Sequence, residues 1–183
     1  MAFIELIDDV GEPGSATNYM RAFAHRPALY AAWRQLVSAV SEPMDERLYE
    51  LVTLAAARSL GSSYCSLAHG QVLLDRHLSP TDVVAFATDP GSAPLTPVES
   101  AAVRLARKVV VDATSVTADD VGELRDLGLC DAEIFDIVAA AAARCFFAKT
   151  LDALGVLPDA KYAALAPEVR DALVTGRPID EPH

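Results

Sequence analysis

The stretch DERLYELVTLAAARSLGSSYCSLAHGQ, residues 45–71, predicts two helices joined by a tight turn. Its first half repeats apolar residues at the three- and four-residue spacing of a helix with one buried face. Gly61 stands where a helix commonly ends on a left-handed glycine, and either serine after it, Ser62 or Ser63, can cap the next helix. The chain should therefore fold back on itself here, and the second helix carries both a cysteine and a histidine.

The composition of the whole chain predicts the same class of structure. Hydrophobic residues make up 52% of the 183 residues, aromatic residues only 7%, and alanine and leucine dominate the apolar set. These are helix formers, and the alternating pattern of a β-strand is almost absent. We expect one all-α domain over residues 1–183, with eight or nine helices, an irregular lead-in at 1–14 and a frayed tail at 175–183.

An internal similarity links two of the predicted helices. Residues 45–58 and 131–144 align without gaps, with Asp, Val, three Ala and the final Arg identical. The alignment predicts two copies of one helix-pair unit packed around an alanine and leucine core. The positions that match Cys65 and His69 in the second copy are Leu151 and Gly155, so a site built on these two residues belongs to the first copy.

Charge and patterning exclude several classes of function. The net charge is −11, and no cluster of lysine and arginine could follow a phosphate backbone, which argues against a nucleic-acid partner. The N-terminal residues lack the basic and apolar regions of a secretory signal, and no apolar run approaches the roughly 18 residues of a membrane span. Three scattered cysteines do not form a disulfide framework. These features predict a cytoplasmic protein with no membrane partner.

Cys65 and His69 together suggest a reactive site. Cys65 falls in the first turn of its helix, where unpaired backbone N–H groups favour a thiolate, so the position predicts a lowered thiol pKa. His69 lies one turn later on the same face and can exchange a proton near neutral pH. Glu50 on the preceding helix would fold back beside them and orient the histidine.

Two other interpretations of these residues stay open. A cysteine and a histidine on one helix are often ordinary core residues, and a glutamate in mid-helix is usually solvated. A zinc site would need a fourth ligand besides Glu50, Cys65 and His69, which His77 would have to supply. We predict neither a metal nor a cofactor.

The run YELVTLAAARSLGSSYCSLAHGQVLL, residues 49–74, resembles the carboxymuconolactone decarboxylase / alkylhydroperoxidase D-like superfamily. The signature of that superfamily is a glutamate on one helix, then Cys-x-x-Cys, then a histidine four residues after the second cysteine. Here these positions are Glu50, Cys65 and His69, and the resemblance extends over about residues 25–160. It implies an orthogonal multi-helix domain, a peroxidase-related antioxidant oxidoreductase and a homo-oligomer (dimer, trimer or hexamer). Tyr64 occupies a place often held by Tyr or His, and it either donates a hydrogen bond to a substrate oxygen or packs.

The first cysteine of the signature is replaced by Ser62. A serine cannot resolve an oxidised cysteine as a disulfide, so the local two-thiol cycle is unavailable. Three possibilities follow for Cys65: a single-cysteine peroxidase whose sulfenic acid is reduced by an external thiol, resolution by Cys130 or Cys145, or no redox role. We expect burial of both distant cysteines, which disfavours the second. The third would leave Glu50 and His69 to act on a lactone or carboxylate as a decarboxylase, and a non-catalytic oligomeric member is a further alternative.

Overall fold

The computed structural model describes residues 2–10 and 16–181, which form nine α-helices and no strand. They are α1 (Asn18–Phe23), α2 (Pro27–Ser41), α3 (Glu46–Ser59), α4 (Ser63–Arg76), α5 (Pro80–Thr88), α6 (Pro97–Asp112), α7 (Ala118–Asp126), α8 (Asp131–Ala153) and α9 (Pro167–Leu173). The prediction of an all-α fold is confirmed. None of the described helices is long and apolar enough to cross a membrane. The assignment of the whole chain to one domain stays a prediction.

Local sequence signals fix the ends of these helices. The side chain of Asp45 caps α3 by accepting from the backbone N–H of Leu48 at 3.0 Å. Thr96 and Glu99 form a reciprocal capping box at the start of α6. Gly61 has a φ of 69°, and this left-handed conformation, open to glycine at no steric cost, turns the chain from α3 into α4. The predicted hairpin of helices is therefore present.

Helix α3 is the centre of the fold and packs against α4, α6 and α8. Its two sides belong to different parts of the core. Leu51 and Leu54 face a cluster that contains Cys65, Trp33 and Phe147. The opposite side faces a second cluster, built with α6 and the first half of α8. The candidate site thus lies where α3, α4 and α8 meet.

The internal similarity holds for one helix of each copy. Residues 131–144 lie in α8 as residues 45–58 lie in α3, but α8 runs without a break to Ala153. Phe147 stands at the position that matches Gly61, and a phenylalanine does not provide a left-handed turn. The second helix pair is therefore not formed at the positions that match the turn and α4.

The C-terminal segment is packed against the fold, which corrects the expectation of a frayed tail for residues 175–181. Ser63 Oγ accepts hydrogen bonds from the backbone N–H groups of Thr175 and Gly176 at 3.1 and 2.8 Å. The guanidinium of Arg177 donates to the carbonyl of Asp152 at 2.7 Å. These bonds tie the tail to α4 through its backbone and to α8 through the side chain of Arg177. Residues 182–183 of the predicted tail, and residues 1 and 11–14 of the predicted lead-in, lie outside the described residues. Residues 2–10 contain no helix.

Candidate active site

The hairpin of α3 and α4 brings Glu50 against His69. The Oε2 atom of Glu50 lies 2.6 Å from Nδ1 of His69, and the two side chains are 11% and 14% exposed. Burial lowers the pKa of His69, and the charge of Arg144 lowers it further, while the hydrogen bond and charge of Glu50 raise it in opposition. The result is a neutral imidazole that donates from Nδ1 to the carboxylate and keeps Nε2 to accept a proton. The predicted contact between these residues is present.

Cys65 lies in the first turn of α4, one turn before His69, and is only 1% exposed. Its polar contact is with Arg144 on α8, whose Nη1 lies 3.9 Å from the sulfur. Burial raises the pKa of the Cys65 thiol, and Arg144 and Ser62 oppose this only in part. The expectation of a lowered pKa is therefore wrong for the isolated chain. The loss of hydration outweighs the favourable position at the helix start.

Arg144 is the residue of the site that sequence reasoning missed. It is 6% exposed and projects from α8 toward the stacked rings of Trp33 and Phe147, with its guanidinium carbon 5.8 Å from each ring centroid. Its Nη2 donates to the hydroxyl of Tyr49 at 3.4 Å. The available signal was a charged residue inside an alanine-rich apolar run, where a cation on a buried face needs a physical reason.

Ser62 precedes Cys65 by one turn and is completely buried. It begins α4 through its backbone, and its Oγ has no hydrogen-bond partner of ordinary geometry among the described residues. The hydroxyl is nevertheless near enough to lower the pKa of both Cys65 and the Asp152 carboxyl. The structure thus places Ser62 beside the sulfur, where the signature has its first cysteine.

The hydroxyl of Tyr64 is engaged in hydrogen bonds within the protein. Its hydroxyl donates to Oδ2 of Asp159 at 2.5 Å and accepts from the backbone N–H of Tyr19 at 3.3 Å. Burial and the Asp159 carboxylate raise the pKa of Tyr64. With both capacities of the hydroxyl used, the packing alternative is the one that the geometry supports.

The two other cysteines differ from the expectation of burial. Cys130 is exposed, because it stands in the loop just before α8, and Cys145 is half-buried. The Sγ of Cys145 donates to the carbonyl of Ala141 at 3.6 Å. Successive side chains of a helix point about 100° apart. Because Arg144 faces Cys65, the side chain of Cys145 points in a different direction.

No described cluster of three His, Cys, Asp or Glu side chains is placed to hold a metal ion. His77, the residue needed for a zinc site, lies 3.2 Å from Glu46 instead. A cleft of about 740 Å³ lies between residues 2–6 and 178–181, and neither Cys65 nor His69 lines it. The His69 side chain is 14% exposed, so solvent reaches the site at this residue.

Comparison with known proteins bears on the family resemblance and on the fold. Residues 27–108 match the profile of the carboxymuconolactone decarboxylase family. No curated protein matches the chain. Among solved structures, an uncharacterized peroxidase-related protein from Ralstonia eutropha JMP134, an alkylhydroperoxidase AhpD core, is similar with a TM-score of 0.75 and 24% identity. The match covers 81% of this chain and 80% of that one.

Two further structures share the fold. An uncharacterized peroxidase-related protein from Silicibacter sp. TM1040 has a TM-score of 0.80 at 17% identity, over 89% of this chain and 94% of that one. A cysteine-to-alanine variant of the debrominase Bmp8, in complex with 2,3,4-tribromopyrrole, has a TM-score of 0.73 at 17% identity, over 87% of this chain and 84% of that one. The resemblance identified in the sequence is confirmed: residues 27–108 carry the carboxymuconolactone decarboxylase pattern within an alkylhydroperoxidase D-like all-α fold.

Proposed function

We propose that the protein is a thiol-dependent, peroxidase-related oxidoreductase in which Cys65 is the single reactive thiol. The observation that carries the proposal is the 2.6 Å hydrogen bond from His69 to Glu50, one helical turn from Cys65. In a set of nucleophile, base and orienting group the base is held by the third member, and Glu50 holds His69 in this way one helical turn along α4 from Cys65. The peroxidase-related names of two structural relatives favour the same chemistry.

The proposed reaction begins when the thiol of Cys65 gives its proton to His69. The thiolate attacks the terminal oxygen of a hydroperoxide ROOH, which keeps its hydrogen, so a sulfur–oxygen bond forms and the oxygen–oxygen bond breaks. The alkoxide leaves, takes the proton back from His69 and becomes ROH, while Cys65 is oxidised to a sulfenic acid. One external thiol then condenses with the sulfenic acid to give a mixed disulfide and water. A second external thiol releases reduced Cys65 and leaves as a disulfide.

Because Ser62 replaces the first cysteine of the signature, the proposed reaction requires an external reductant. A hydroxyl cannot form a disulfide with the oxidised sulfur, and Cys145 is turned away from Cys65 along α8. Consumption of hydroperoxide with a small dithiol as reductant tests the proposal. We expect turnover in the wild type and in a Cys130→Ser/Cys145→Ser variant, and its loss in Cys65→Ser. Equal turnover in Cys65→Ser would overturn the proposal.

A second candidate function follows from the two pKa shifts of the site. Burial raises the pKa of Cys65 and lowers that of His69, which suits a neutral general base better than a resting thiolate. A decarboxylase or lactone-processing enzyme would use Glu50 and His69 without redox chemistry. It would keep its activity in Cys65→Ser and lose it in His69→Ala. A non-catalytic oligomeric member would show no activity that either substitution changes.

We also propose that the protein assembles into a homo-oligomer through α2 and α8. These helices touch each other, with the rings of Trp33 and Phe146 5.5 Å apart, and both expose large apolar side chains. The exposed residues are Leu29, Leu36, Phe135 and Phe146. Light scattering on Leu36→Glu should show a smaller particle than wild type. Val111→Glu, at an exposed apolar position on α6, is the control and should leave the particle unchanged.

A further inference from the structure

Arg144 carries a charge that no neighbouring carboxylate neutralises directly. It is 6% exposed, and among residues 2–10 and 16–181 no Asp or Glu oxygen lies within ion-pair distance of its guanidinium. Its Nε is buried and has no hydrogen-bond partner in this part of the chain. A buried charge without a close partner is energetically unfavourable, because the charge has lost its hydration. A natural chain keeps such a group where an anion arises or binds.

The geometry around the guanidinium identifies where that anion forms. The stacked rings of Trp33 and Phe147 lie 5.8 Å from the guanidinium carbon, and the hydroxyl of Tyr49 accepts a hydrogen bond from Nη2. These three neighbours are neutral. The remaining direction, from Nη1, ends on Cys65 Sγ at 3.9 Å. At this distance the contact is long, and a hydrogen bond from a guanidinium to an anion is shorter than one to a neutral acceptor.

We propose that Arg144 is the positioning residue that holds the sulfur of Cys65 as an anion, first as the thiolate and then as the deprotonated sulfenic acid. The inference rests on the proposed function, because it gives Cys65 a reactive role. No electron moves in the pairing: the thiol proton leaves to a base, and Arg144 keeps its own protons. After reaction with a hydroperoxide, the negative oxygen of the sulfenate meets the same guanidinium.

Other groups on the surrounding elements also influence the ionisation of the Cys65 thiol. The Asp152 carboxylate on α8 opposes ionisation and raises the pKa of Cys65, while the Ser62 hydroxyl lowers it. Tyr49 on α3 and Tyr162, in the short 3₁₀ segment Ala160–Ala164, also interact with a charged Cys65, and a thiolate raises the pKa of both. Arg144 is thus the cation that faces the sulfur and the largest favourable influence on its ionisation.

The test measures the reactivity of Cys65 without peroxide. In a Cys130→Ser/Cys145→Ser background, the rate of alkylation by iodoacetamide is followed from pH 6 to 9 for Arg144, Arg144→Gln and Arg144→Lys. Loss of the opposite charge of Arg144 raises the thiol pKa of Cys65 and so lowers the fraction of thiolate at each pH. The thiolate becomes intrinsically more nucleophilic as its pKa rises, with a Brønsted coefficient near 0.5. The net expectation is a rate about 3- to 30-fold lower in Arg144→Gln at each pH, with most of the rate restored in Arg144→Lys.

The direction of the change separates pairing from packing. If Arg144 only fills space, its replacement loosens the cover over a sulfur that is 1% exposed, and alkylation becomes faster. An equal or faster rate in Arg144→Gln therefore overturns the inference. Arg144→Met, which fills the space without an amide, is the second variant and should be slowed in the same way. Circular dichroism and the alkylation rate in urea, equal for all variants, are the controls.

Failure of the inference and failure of the proposed function give different results. Slower alkylation in Arg144→Gln, with no consumption of hydroperoxide by the wild type, would contradict the peroxidase function and support the pairing of Arg144 with the Cys65 anion. Consumption of hydroperoxide by the wild type, with an unchanged alkylation profile in Arg144→Gln, would support the peroxidase function and contradict the pairing.

Discussion

Glu50 on α3 and His69 on α4 are joined by a hydrogen bond of 2.6 Å between Oε2 and Nδ1. The bond fixes which nitrogen of the imidazole carries the proton, so Nε2 is the one that can accept from a substrate or from the thiol. The bond also joins the two helices that the turn at Gly61 connects, so the orientation of the His69 imidazole depends on how α3 and α4 pack.

Replacing Glu50 by glutamine should reduce catalysis while keeping the fold. The neutral amide no longer raises the pKa of His69, and it can hydrogen-bond either tautomer, so Nε2 is no longer reserved as the acceptor. We expect about a 10²-fold loss of turnover, the usual contribution of a positioned acid–base group. An NMR titration of the imidazole should show the pKa of His69 falling further. Glu46→Gln, on the exposed end of α3, is the control, and equal turnover in both variants would contradict the assigned role.

The buried His69 should make the protein less stable in mild acid. Its pKa in the folded state lies below its ordinary value of 6.5, so below about pH 6.5 the unfolded chain binds the proton more readily than the folded chain. The free energy of unfolding is therefore expected to fall from pH 6.5 downward, with a slope of at most about 1.4 kcal/mol per pH unit from this one group. Urea unfolding between pH 5 and 7.5 measures it.

His69→Gln should flatten that part of the profile, since glutamine does not titrate. An identical slope in wild type and His69→Gln would show that His69 is not buried as a neutral base.

Ser62→Cys should restore a two-thiol site. Ser62 is completely buried one turn before Cys65, and its hydroxyl influences the ionisation of that sulfur. We expect treatment with one equivalent of hydroperoxide to give an intramolecular disulfide, seen as a loss of about two mass units and of two free thiols. Ser66→Cys is the matched control, because it is equally buried and directly follows Cys65. Disulfide formation in Ser66→Cys but not in Ser62→Cys would contradict the placement.

Gly176→Ala tests whether the C-terminal segment is packed. A Cβ at Gly176 would lie 2.1 Å from the backbone oxygen of Gly61, so the segment would have to move from its place beside α4. We expect a loss of about 1–3 kcal/mol in the free energy of unfolding. Gly122→Ala, in helix α7 with no atom within 4 Å of the new Cβ, should instead gain about 0.5–1 kcal/mol. A neutral Gly176→Ala would favour the frayed tail.

The helices and the Glu50–His69 contact were predictable because local rules set them. Capping residues, the glycine at position 61 and the 3.6-residue period fix where α3 and α4 begin, end and face. Once the hairpin forms, two residues on facing sides must meet.

The electrostatics of the site were not predictable from the same rules. The sign of the Cys65 pKa shift depends on how completely other helices cover the first turn of α4, which is a tertiary property. Arg144 is brought to the sulfur by the packing of α8 across α2 and α3, and its spacing from Cys65 in the sequence contains no trace of that contact. The polar tail gave no apolar pattern, because it binds through backbone and guanidinium hydrogen bonds.

The most direct test of the central claim is a map of cysteine oxidation. The reduced protein is treated with one equivalent of hydrogen peroxide or an organic hydroperoxide in the presence of a sulfenic-acid trap, and the adducts at all three cysteines are quantified by mass spectrometry. We expect the adduct at Cys65, much less of it in His69→Ala, and little at Cys145. A Cys65 that stays reduced, while the exposed Cys130 takes up the adduct, would contradict it.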